Sequence, residues 1–341
     1  MINKDFILTR TPHRVSFFGG GSDLKSFYND HEGITFSTAI SNYVYVSVKR
    51  HTKFFNERYR IVYSETELKN KIPKIKNDIV RETLKFCNFS ERIYINSISD
   101  LPASSGLGSS SAFTVGLLKA IYSLMNVKKN NIQLAEDACE IEINRINKPI
   151  GKQDQYACSL GDVNLVKYHS SGLVTVKKNL NARNFINKMM SNSLLIWTGI
   201  SRKSEIILKK QNLDMQKGAI ESEMLKIKDI CENVYKEICN YNGKNFNHLN
   251  NLFIESLNDS WNIKKSLNKN MTNLKIDKII KIINFHCKSK VGIKLLGAGA
   301  GGFILVSGLK EIKKLKKELL KKKILSLMVK SDIKGASFVN D

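Results

Sequence analysis

Pro102-Ala103-Ser104-Ser105-Gly106-Leu107-Gly108-Ser109-Ser110-Ser111-Ala112 is the stretch of this chain that decides its fold. Just before it, Arg92–Asn96 alternates apolar and polar residues, which predicts a β-strand. Apolar residues then recur at helical spacing, so we expect a helix that starts near Ser110. The chain therefore passes from a strand through a loop of small residues directly into a helix.

A loop of this kind at a helix N-terminus is suited to bind an anion. Glycines let the backbone approach a phosphate, while the free N–H groups and the helix dipole favour negative charge. The serine hydroxyls can bond phosphate oxygens or a metal ion. No lysine follows the glycines, so the loop is not a Walker A motif. A glycine-rich turn capped by serine is the alternative interpretation.

The bulk composition indicates a soluble protein with two domains. The chain has 341 residues, of which 42% are hydrophobic and 25% charged, enough for two sizeable cores. No cationic segment precedes an apolar one at the N-terminus, so we expect no secretory signal. The longest uncharged run, Leu295–Leu309, is rich in glycine and too short to span a bilayer comfortably. We expect no membrane partner.

Cysteine and histidine spacing points to neither disulfides nor a metal site. The six cysteines show no CxxC pattern, so we expect reduced thiols in a cytoplasmic protein. The six histidines are scattered, with no trustworthy metal-ligand spacing.

The net charge of +24 could indicate a nucleic-acid partner. However, the lysines are spread along the chain and are densest in Lys310–Lys323, where they surround one apolar helical stripe. This pattern is typical of a solvated amphipathic helix. We therefore expect no nucleic-acid partner, and we expect the positive field to attract anionic substrates.

The order of elements predicts a boundary near residue 180, with an N-terminal domain over 1–180 and a C-terminal domain over 181–341. The first part alternates strands and helices, including helices at Asp78–Phe86 and Asn131–Arg145. The second part begins with a buried strand, Leu194–Trp197, and continues through a charged helical region.

One glycine motif in the second part imitates a dinucleotide fingerprint. The run Gly297-Ala298-Gly299-Ala300-Gly301-Gly302 follows a strand and satisfies G-x-G-x-x-G. A fingerprint requires a helix next, whereas Phe303–Val306 is apolar and strand-like. The run is either a tight turn between strands or a loop whose backbone approaches a nucleotide or sugar.

Four motifs in order turn the Gly106 loop into a specific hypothesis. Besides that loop they are Pro12-His13-Arg14-Val15-Ser16-Phe17-Phe18-Gly19-Gly20-Gly21-Ser22-Asp23, Gly151-Lys152-Gln153-Asp154-Gln155-Tyr156 and Lys294-Leu295-Leu296-Gly297-Ala298-Gly299-Ala300-Gly301-Gly302-Phe303. They resemble the motifs of the GHMP superfamily of small-molecule kinases, over nearly the whole chain. With Trp197-Thr198-Gly199-Ile200-Ser201-Arg202, the resemblance is closest to bacterial D-glycero-D-manno-heptose 7-phosphate kinases.

The resemblance implies an α+β fold of two domains with the active site between them. The N-terminal domain would be similar to the second domain of ribosomal protein S5, and the C-terminal domain would be ferredoxin-like. An S5-like fold also leaves room for a basic RNA-binding protein that has lost catalysis. A fold alone does not carry a function.

The resemblance also implies roles for individual residues. Asp154 would receive or orient the acceptor hydroxyl proton, with Arg14 and Lys152 as cations facing the reacting groups. Ser110 and Glu142 would bind Mg²⁺, which prefers oxygen ligands. The ATP triphosphate would lie on Pro102, Ser104, Ser105, Gly106, Leu107, Gly108, Ser109, Ser110 and Ser111. Each charged residue could instead be an ordinary helix, turn or surface charge.

The acceptor would contact a further set of residues, namely Gly20, Gly21, Ser22, Asp23, Arg202 and Gly299. The two glycines either leave room for a large acceptor or permit a positive φ in a tight turn. Asp23 could grip sugar hydroxyls or cap the short helix that follows. Arg202 could hold a second phosphate or be an exposed arginine at a helix start.

We therefore expect a cytoplasmic kinase that requires ATP and Mg²⁺. The resemblance implies that it phosphorylates the anomeric hydroxyl of D-glycero-D-manno-heptose 7-phosphate, which leads to nucleotide-activated heptose for surface polysaccharides. A fucokinase- or galactokinase-type anomeric sugar kinase is the alternative among enzymes. Its partners would be a small sugar phosphate and ATP, and a homodimer stays open.

Overall fold

The computed structural model describes residues 5–201, 204–287 and 289–339. Within them, two β-sheets form the framework, and helices cover both. The strands are β1 (Phe6–Phe18), β2 (Gly33–Arg50), β3 (Tyr59–Val62), β4 (Thr66–Lys69), β5 (Ile93–Ser99), β6 (Val163–Tyr168), β7 (Val174–Lys177), β8 (Leu194–Trp197), β9 (Gly292–Leu295), β10 (Phe303–Ser307), β11 (Ser326–Leu327) and β12 (Ser337–Phe338).

The α-helices follow the same chain order and are longest in the second half. They are α1 (Lys25–Tyr28), α2 (Asp78–Phe86), α3 (Ser109–Leu124), α4 (Asn131–Cys139), α5 (Gln153–Leu160), α6 (Leu180–Ser191), α7 (Ser204–Gln216), α8 (Glu221–Ile238), α9 (Phe246–Leu267), α10 (Leu274–His286) and α11 (Ile312–Lys321). A π-helical turn, Glu140–Arg145, continues α4, and short 3₁₀ turns occupy Ile72–Lys74 and Lys269–Met271.

The first sheet is built around the two longest strands. Its order is β12-β1-β2-β5-β3-β4, and β6 and β7 extend it from the first half of β2. Only the β3–β5 pair is parallel among the described strands. Val44, Val46 and Val48 alternate along β2 and are all buried, in the same apolar cluster as the buried residues of α3. The buried face of α3 therefore packs against β2.

The second sheet is antiparallel, with the order β11-β8-β10-β9. Every residue of β10 is buried, which explains the continuous apolar run Phe303–Val306 within it. A strand follows the Gly297–Gly302 run, as the sequence predicted, so this run is not a dinucleotide fingerprint.

The glycine loops of the two halves lie backbone against backbone. The Phe303 N–H donates to the Ser105 carbonyl over 3.0 Å. A Cβ on Gly106 would stand 2.4 Å from the Leu296 carbonyl oxygen, and one on Gly302 would stand 2.2 Å from the Ser105 oxygen. Both glycines also have φ near +81° and +93°, so no other residue fits either place. This contact joins the loop before α3, residues 102–108, to the second sheet. We call this loop the anion-binding loop, after the ligand that the sequence predicts for it.

The end of the chain returns to the first sheet. Ser337 pairs with Arg10 and Phe338 with Thr9, while Ser331 forms a bridge with Ile40. Apart from β12, the strands of the first sheet precede residue 180 and those of the second sheet follow it, and the domain division stays a prediction. None of the described helices is long and apolar enough to cross a membrane. All six cysteines are free thiols.

Candidate active site

A cleft of about 310 Å³ lies between the two sheets. Its walls come from the end of β1 and the glycine turn after it, the loop before α3, the start of α5, and helices α7 and α9. Lys294 and Gly297 line the side of the cleft that faces the second sheet. Residues from all four motifs thus line one cleft, although the motifs are far apart in the sequence.

The loop before α3 offers hydrogen-bond donors to this cleft. Gly108 ends the loop in a left-handed conformation, with φ of 76°, and α3 then runs for 16 residues. The hydroxyls of Ser105 and Ser109 are buried and have no hydrogen-bond partner in the described part of the chain. Buried hydroxyls without partners are costly, and phosphate oxygens would satisfy them. The loop therefore fits a nucleotide triphosphate.

Seven of the predicted nucleotide-binding residues line the cleft, and two do not. Pro102 is exposed outside it, while Leu107 is fully buried in the apolar core. The Leu107 carbonyl accepts hydrogen bonds from the Arg14 N–H and from the His13 ring. Leu107 therefore supports the loop from behind. The seven that line the cleft are Ser104, Ser105, Gly106, Gly108, Ser109, Ser110 and Ser111.

Arg14 and Asp154 form a bidentate ion pair in the centre of the cleft. The Arg14 Nε donates to Asp154 Oδ1 over 2.8 Å, and Nη2 donates to Oδ2 over 2.9 Å. The remaining nitrogen, Nη1, donates to the Gly106 carbonyl over 2.6 Å. The Arg14 side chain is 5% exposed and that of Asp154 31%. Arg14 thus holds the carboxylate beside the anion-binding loop, and the carboxylate stays open to the cleft.

Glu142 is buried, which excludes the alternative of an exposed helix charge. It lies in the π-helical turn after α4 and is 0% exposed. Its Oε1 accepts hydrogen bonds from the Ser110 Oγ over 2.5 Å and from the Lys148 Nζ over 3.2 Å. Its Oε2 accepts from the Gln155 amide over 2.9 Å. The neighbouring Glu140 is half-exposed instead and pairs with Arg145.

Ser110 and Glu142 fit a magnesium site. A hydroxyl and a carboxylate are hard oxygen ligands, and phosphate oxygens and water would complete the shell. The Lys148 Nζ lies 2.9 Å from the Ser110 Oγ as well, so a cation already stands between the two predicted ligands. No cluster of three or more His, Cys, Asp or Glu side chains suited to a metal occurs among the described residues.

The structure does not bring Lys152 into the cleft, contrary to the expectation from the sequence. Lys152 immediately precedes α5, and its side chain points away from the cleft. Its Nζ donates to the Gly172 carbonyl over 2.9 Å and lies 5.2 Å from the centre of the Tyr28 ring. Besides Arg14, Lys148 is a cation beside the loop, and the sequence analysis did not single it out.

The sequence left two interpretations open for Gly20 and Gly21, and the structure supports a different one for each residue. A Cβ on Gly20 would have only ordinary contacts, 3.5 Å from Gln153 Oε1 and from Ser16 Oγ, so Gly20 leaves room in the cleft. Gly21 has φ of +106°, and a Cβ there would stand 2.5 Å from the Gln211 amide nitrogen. Gly21 is therefore required by the turn itself.

Asp23 ties the glycine turn to the start of α5. Its Oδ1 accepts the Gly21 N–H over 2.9 Å and its Oδ2 accepts the Gln153 N–H over 3.0 Å. Burial raises the pKa of Asp23, although these two hydrogen bonds oppose the shift. Asp23 does not cap α1, whose N-cap is Leu24 without a side-chain bond. Asp23 lines the cleft next to the open space at Gly20.

Two other predicted acceptor residues, Ser22 and Gly299, do not line the cleft. The buried Ser22 hydroxyl bonds backbone atoms of Gly19 and Ile34. Gly299 faces Met271, whose sulfur would stand 2.4 Å from a Cβ at that position. Both residues shape loops around the cleft without lining it. Arg202 lies outside the described residues.

Two lysines on the far side of the cleft were not singled out as site residues from the sequence. Lys264 of α9 and Lys294 of β9 both line the cleft and are 8% and 3% exposed. Burial lowers the pKa of Lys294 well below its ordinary value, and the charge of Lys264 adds to the shift. Lys264 belongs to none of the four motifs, so nothing in the sequence indicated it. Lys294 is the first residue of the Lys294–Phe303 motif, and that position was the signal that could have identified it.

The chain is similar to known proteins in sequence and in structure. Residues 71–162 match the model of the GHMP kinases N-terminal domain. A D-glycero-alpha-D-manno-heptose 7-phosphate kinase of Campylobacter jejuni is 30% identical over 319 residues, which cover 87% of this chain and 88% of the relative.

The chain belongs to the GHMP kinase family.

A galactokinase of Thermotoga petrophila is 23% identical over 91% of this chain and 92% of its own length. The crystal structure of a D-glycero-D-manno-heptose 1-phosphate kinase from Bacteroides thetaiotaomicron superposes with a TM-score of 0.75 at 20% identity, covering 97% of this chain and 98% of that one. This structural likeness confirms the mixed α and β GHMP kinase fold. Relatives in the family act on different acceptors, so membership alone leaves the acceptor open.

Proposed function

We propose that the protein transfers the γ-phosphoryl group of ATP to the anomeric hydroxyl of D-glycero-D-manno-heptose 7-phosphate and yields the 1,7-bisphosphate. The bidentate Arg14–Asp154 pair carries this proposal, because it stands inside the cleft directly beside the anion-binding loop. Phosphoryl transfer depends chiefly on positioning and on the stabilisation of charge. The pair provides both functions next to the place where a triphosphate fits.

The nucleotide phosphates lie on the loop and on the N-terminus of α3 in this proposal. The first N–H groups of the helix point at the anion, and the hydroxyls of Ser105 and Ser109 gain the partners that they lack. Ser110 and Glu142 hold Mg²⁺. When bound, this ion would supply positive charge that offsets the negative charge developing on the phosphate oxygens.

Asp154 receives the proton of the acceptor in the transfer step. The anomeric oxygen forms a bond to the γ-phosphorus as the bond from that phosphorus to the β,γ-bridging oxygen breaks. The hydroxyl proton passes to the Asp154 carboxylate, and ADP leaves with the bridging oxygen. Arg14 fixes the carboxylate in the orientation that this transfer needs, since two parallel N–H···O bonds define the plane of the carboxyl group.

Two observations favour a phosphorylated heptose as the acceptor. The relative at 30% identity is named as a heptose 7-phosphate kinase, whereas the galactokinase is 23% identical. Gly20 also leaves space where a side chain would reduce it, so an acceptor larger than a hexose has room. The net charge of +24 attracts such an anion to the cleft.

The test is ADP release from Mg-ATP across a panel of D-glycero-D-manno-heptose 7-phosphate, the unphosphorylated heptose, galactose and fucose. We expect the highest kcat/KM with heptose 7-phosphate. Equal or higher activity on galactose or fucose would reject the heptose acceptor and leave the kinase. ADP release that no sugar accelerates, together with a salt-sensitive RNA shift, would favour an RNA-binding protein instead.

A further inference from the structure

Helix α7 forms one wall of the cleft with three side chains that share a face of the helix. Glu205, Leu208 and Gln211 line the cleft, and their spacing of three residues keeps them on one side of α7. Glu205 is exposed, Leu208 is half-buried, and Gln211 is only 5% exposed. This face therefore leads from the solvent to a buried carboxamide.

The Gln211 carboxamide has an oxygen without a partner. Its Oε1 is buried and accepts no hydrogen bond within the described part of the chain. Its Nε2 donates only to the thioether sulfur of Met224, over 3.6 Å, and a thioether is a weak acceptor. Buried polar atoms are nearly always paired in folded proteins, so an unpaired one in a cleft indicates a group that a ligand completes.

Gln211 packs against the glycine turn that follows β1. A Cβ on Gly21 would stand 2.5 Å from the Gln211 Nε2. Asp23 accepts the Gly21 N–H and ties this turn to the start of α5, the helix that carries Asp154. The carboxamide is therefore on the same side as the open space at Gly20. The nucleotide phosphates have their own donors at the N-terminus of α3.

A sugar hydroxyl fits this position better than a phosphate does. The carboxamide oxygen of Gln211 accepts a hydrogen bond from a hydroxyl, and its NH₂ group can donate to the next hydroxyl of the same sugar. A phosphate dianion offers only acceptor oxygens, so it cannot pair with the Gln211 Oε1. The Glu205 carboxylate on the same helix face also repels an anion.

We infer that Gln211 binds a hydroxyl of the acceptor sugar and is a specificity-determining residue for it. This inference rests on the proposed function and names a residue that none of the four motifs contains. The Gln211 Oε1 gains its partner when the acceptor occupies the cleft. An acceptor that lacks this hydroxyl leaves the buried oxygen unpaired, and a site of this kind rejects such analogues.

The test replaces Gln211 by Met, which keeps the length of the side chain and removes the amide. The matched control is Gln216→Met, the same substitution at the exposed last residue of α7, outside the cleft. The acceptors are heptose 7-phosphate and its analogues in which one non-anomeric hydroxyl at a time is replaced by hydrogen. Where the panel of sugars selects galactose or fucose instead, the analogues of that sugar are used.

For wild type and both variants, calorimetry gives the Kd of each sugar without nucleotide, and kinetics gives kcat/KM and the KM for ATP. We expect Gln211→Met to weaken binding of the parent sugar about 5-fold to 50-fold, through the loss of one buried hydrogen bond. One deoxy sugar should bind wild type more weakly by a similar factor, and Gln211→Met should weaken its binding no further. The other deoxy sugars should be weakened by Gln211→Met as much as the parent is.

The KM for ATP of Gln211→Met and all constants of Gln216→Met should stay near wild type. Gln211→Leu repeats the comparison with a second apolar side chain and should single out the same hydroxyl. Effects of Gln211→Met that multiply independently with the loss of every hydroxyl would overturn the inference, because the substitution would then act through the shape of the cleft. A rise in the KM for ATP in place of the loss of sugar affinity would overturn it as well.

Either of these contrary results would come from an active wild-type enzyme, so the proposed function would stand. A wild-type enzyme that phosphorylates no sugar of the panel would reject the proposed function itself, and the role of Gln211 with it.

Discussion

Arg14 binds both carboxylate oxygens of Asp154 and, through its third nitrogen, the carbonyl of Gly106. The two residues are 140 positions apart in the sequence, and one guanidinium joins the carboxylate to the anion-binding loop. Because Arg14 is almost fully buried, its geometry is fixed by its surroundings before any ligand binds. Asp154 therefore stands at a fixed place relative to the loop that contains Gly106.

The first prediction concerns Asp154→Asn. The amide keeps one acceptor for Arg14 but cannot take a proton, so we expect turnover to fall by about 10²-fold to 10⁴-fold while ATP binding stays intact. Steady-state kinetics and calorimetry with ATP check this. The matched control is Asp162→Asn, which breaks a similar bidentate pair, with Arg183, outside the cleft. Turnover near wild type in a folded Asp154→Asn variant would contradict the assigned role.

The second prediction concerns the magnesium dependence. Ser110→Ala removes a proposed ligand, so the Mg²⁺ midpoint of activity should rise at least about tenfold. Lys148→Met removes the ammonium that now lies between Ser110 and Glu142, so its midpoint should fall. The opposite directions distinguish a metal site from general damage. Calorimetric Mn²⁺ titration gives a readout independent of turnover, and midpoints that do not move would show that Ser110 is only a helix-start hydroxyl.

A third prediction tests the open space at Gly20. Gly20→Glu places a negative charge where we expect the acceptor, so kcat/KM with heptose 7-phosphate should fall more than kcat/KM with the free heptose. Gly20→Ala is the size control, since its Cβ would make only ordinary contacts at 3.5 Å. We expect Gly20→Ala to be close to wild type on both acceptors. Equal effects of Gly20→Glu on the two acceptors would argue against a phosphorylated acceptor at this place.

The fourth prediction is a pH dependence of stability from His13. Burial lowers its pKa from 6.5 to about 4, against opposing effects of its Leu107 hydrogen bond and Asp100, while Arg14 lowers it further. Between these two pH values His13 is protonated in the unfolded chain and neutral in the folded protein. Stability should therefore fall as the pH decreases from about 6.5 to about 4, by about 3 kcal/mol in total.

Chemical denaturation at a series of pH values checks this effect. His13→Gln, which cannot titrate, should flatten the profile over this interval relative to wild type. An unchanged slope in the variant would assign the pH dependence to other groups. Because His13 contacts the Leu107 carbonyl, the same experiment reports on the support of the anion-binding loop.

Local patterns in the sequence predicted much of the fold. The bounds of α2 and β8 agree with Asp78–Phe86 and Leu194–Trp197, because a strong helical stripe and a short buried run have few alternatives. The predicted helix Asn131–Arg145 is α4 with a π-helical turn, which turns Glu142 inward. Periodicity does not distinguish a π-turn from an α-helix, so the full burial of Glu142 could not be predicted.

Site residues that lie in sequence motifs could be predicted. Site residues that reach the cleft only through long-range packing could not. Asp154 and Arg14 stand in two of the four motifs, and the structure brings them together. Lys152 belongs to the same motif as Asp154, yet its side chain points away from the cleft and donates a hydrogen bond to the Gly172 carbonyl. Lys148 and Lys264 enter the cleft through tertiary placement alone, which sequence spacing does not report.

The central claim is transfer of a phosphoryl group to the anomeric oxygen of an already phosphorylated heptose, and ³¹P NMR of the product tests it most directly. After incubation with heptose 7-phosphate and Mg-ATP, we predict one new sugar phosphorus signal, coupled to the anomeric proton, beside the retained 7-phosphate signal. The new signal should grow in equal amount with ADP. A new signal coupled to any other sugar proton, or ADP without a new sugar phosphate, would contradict the account.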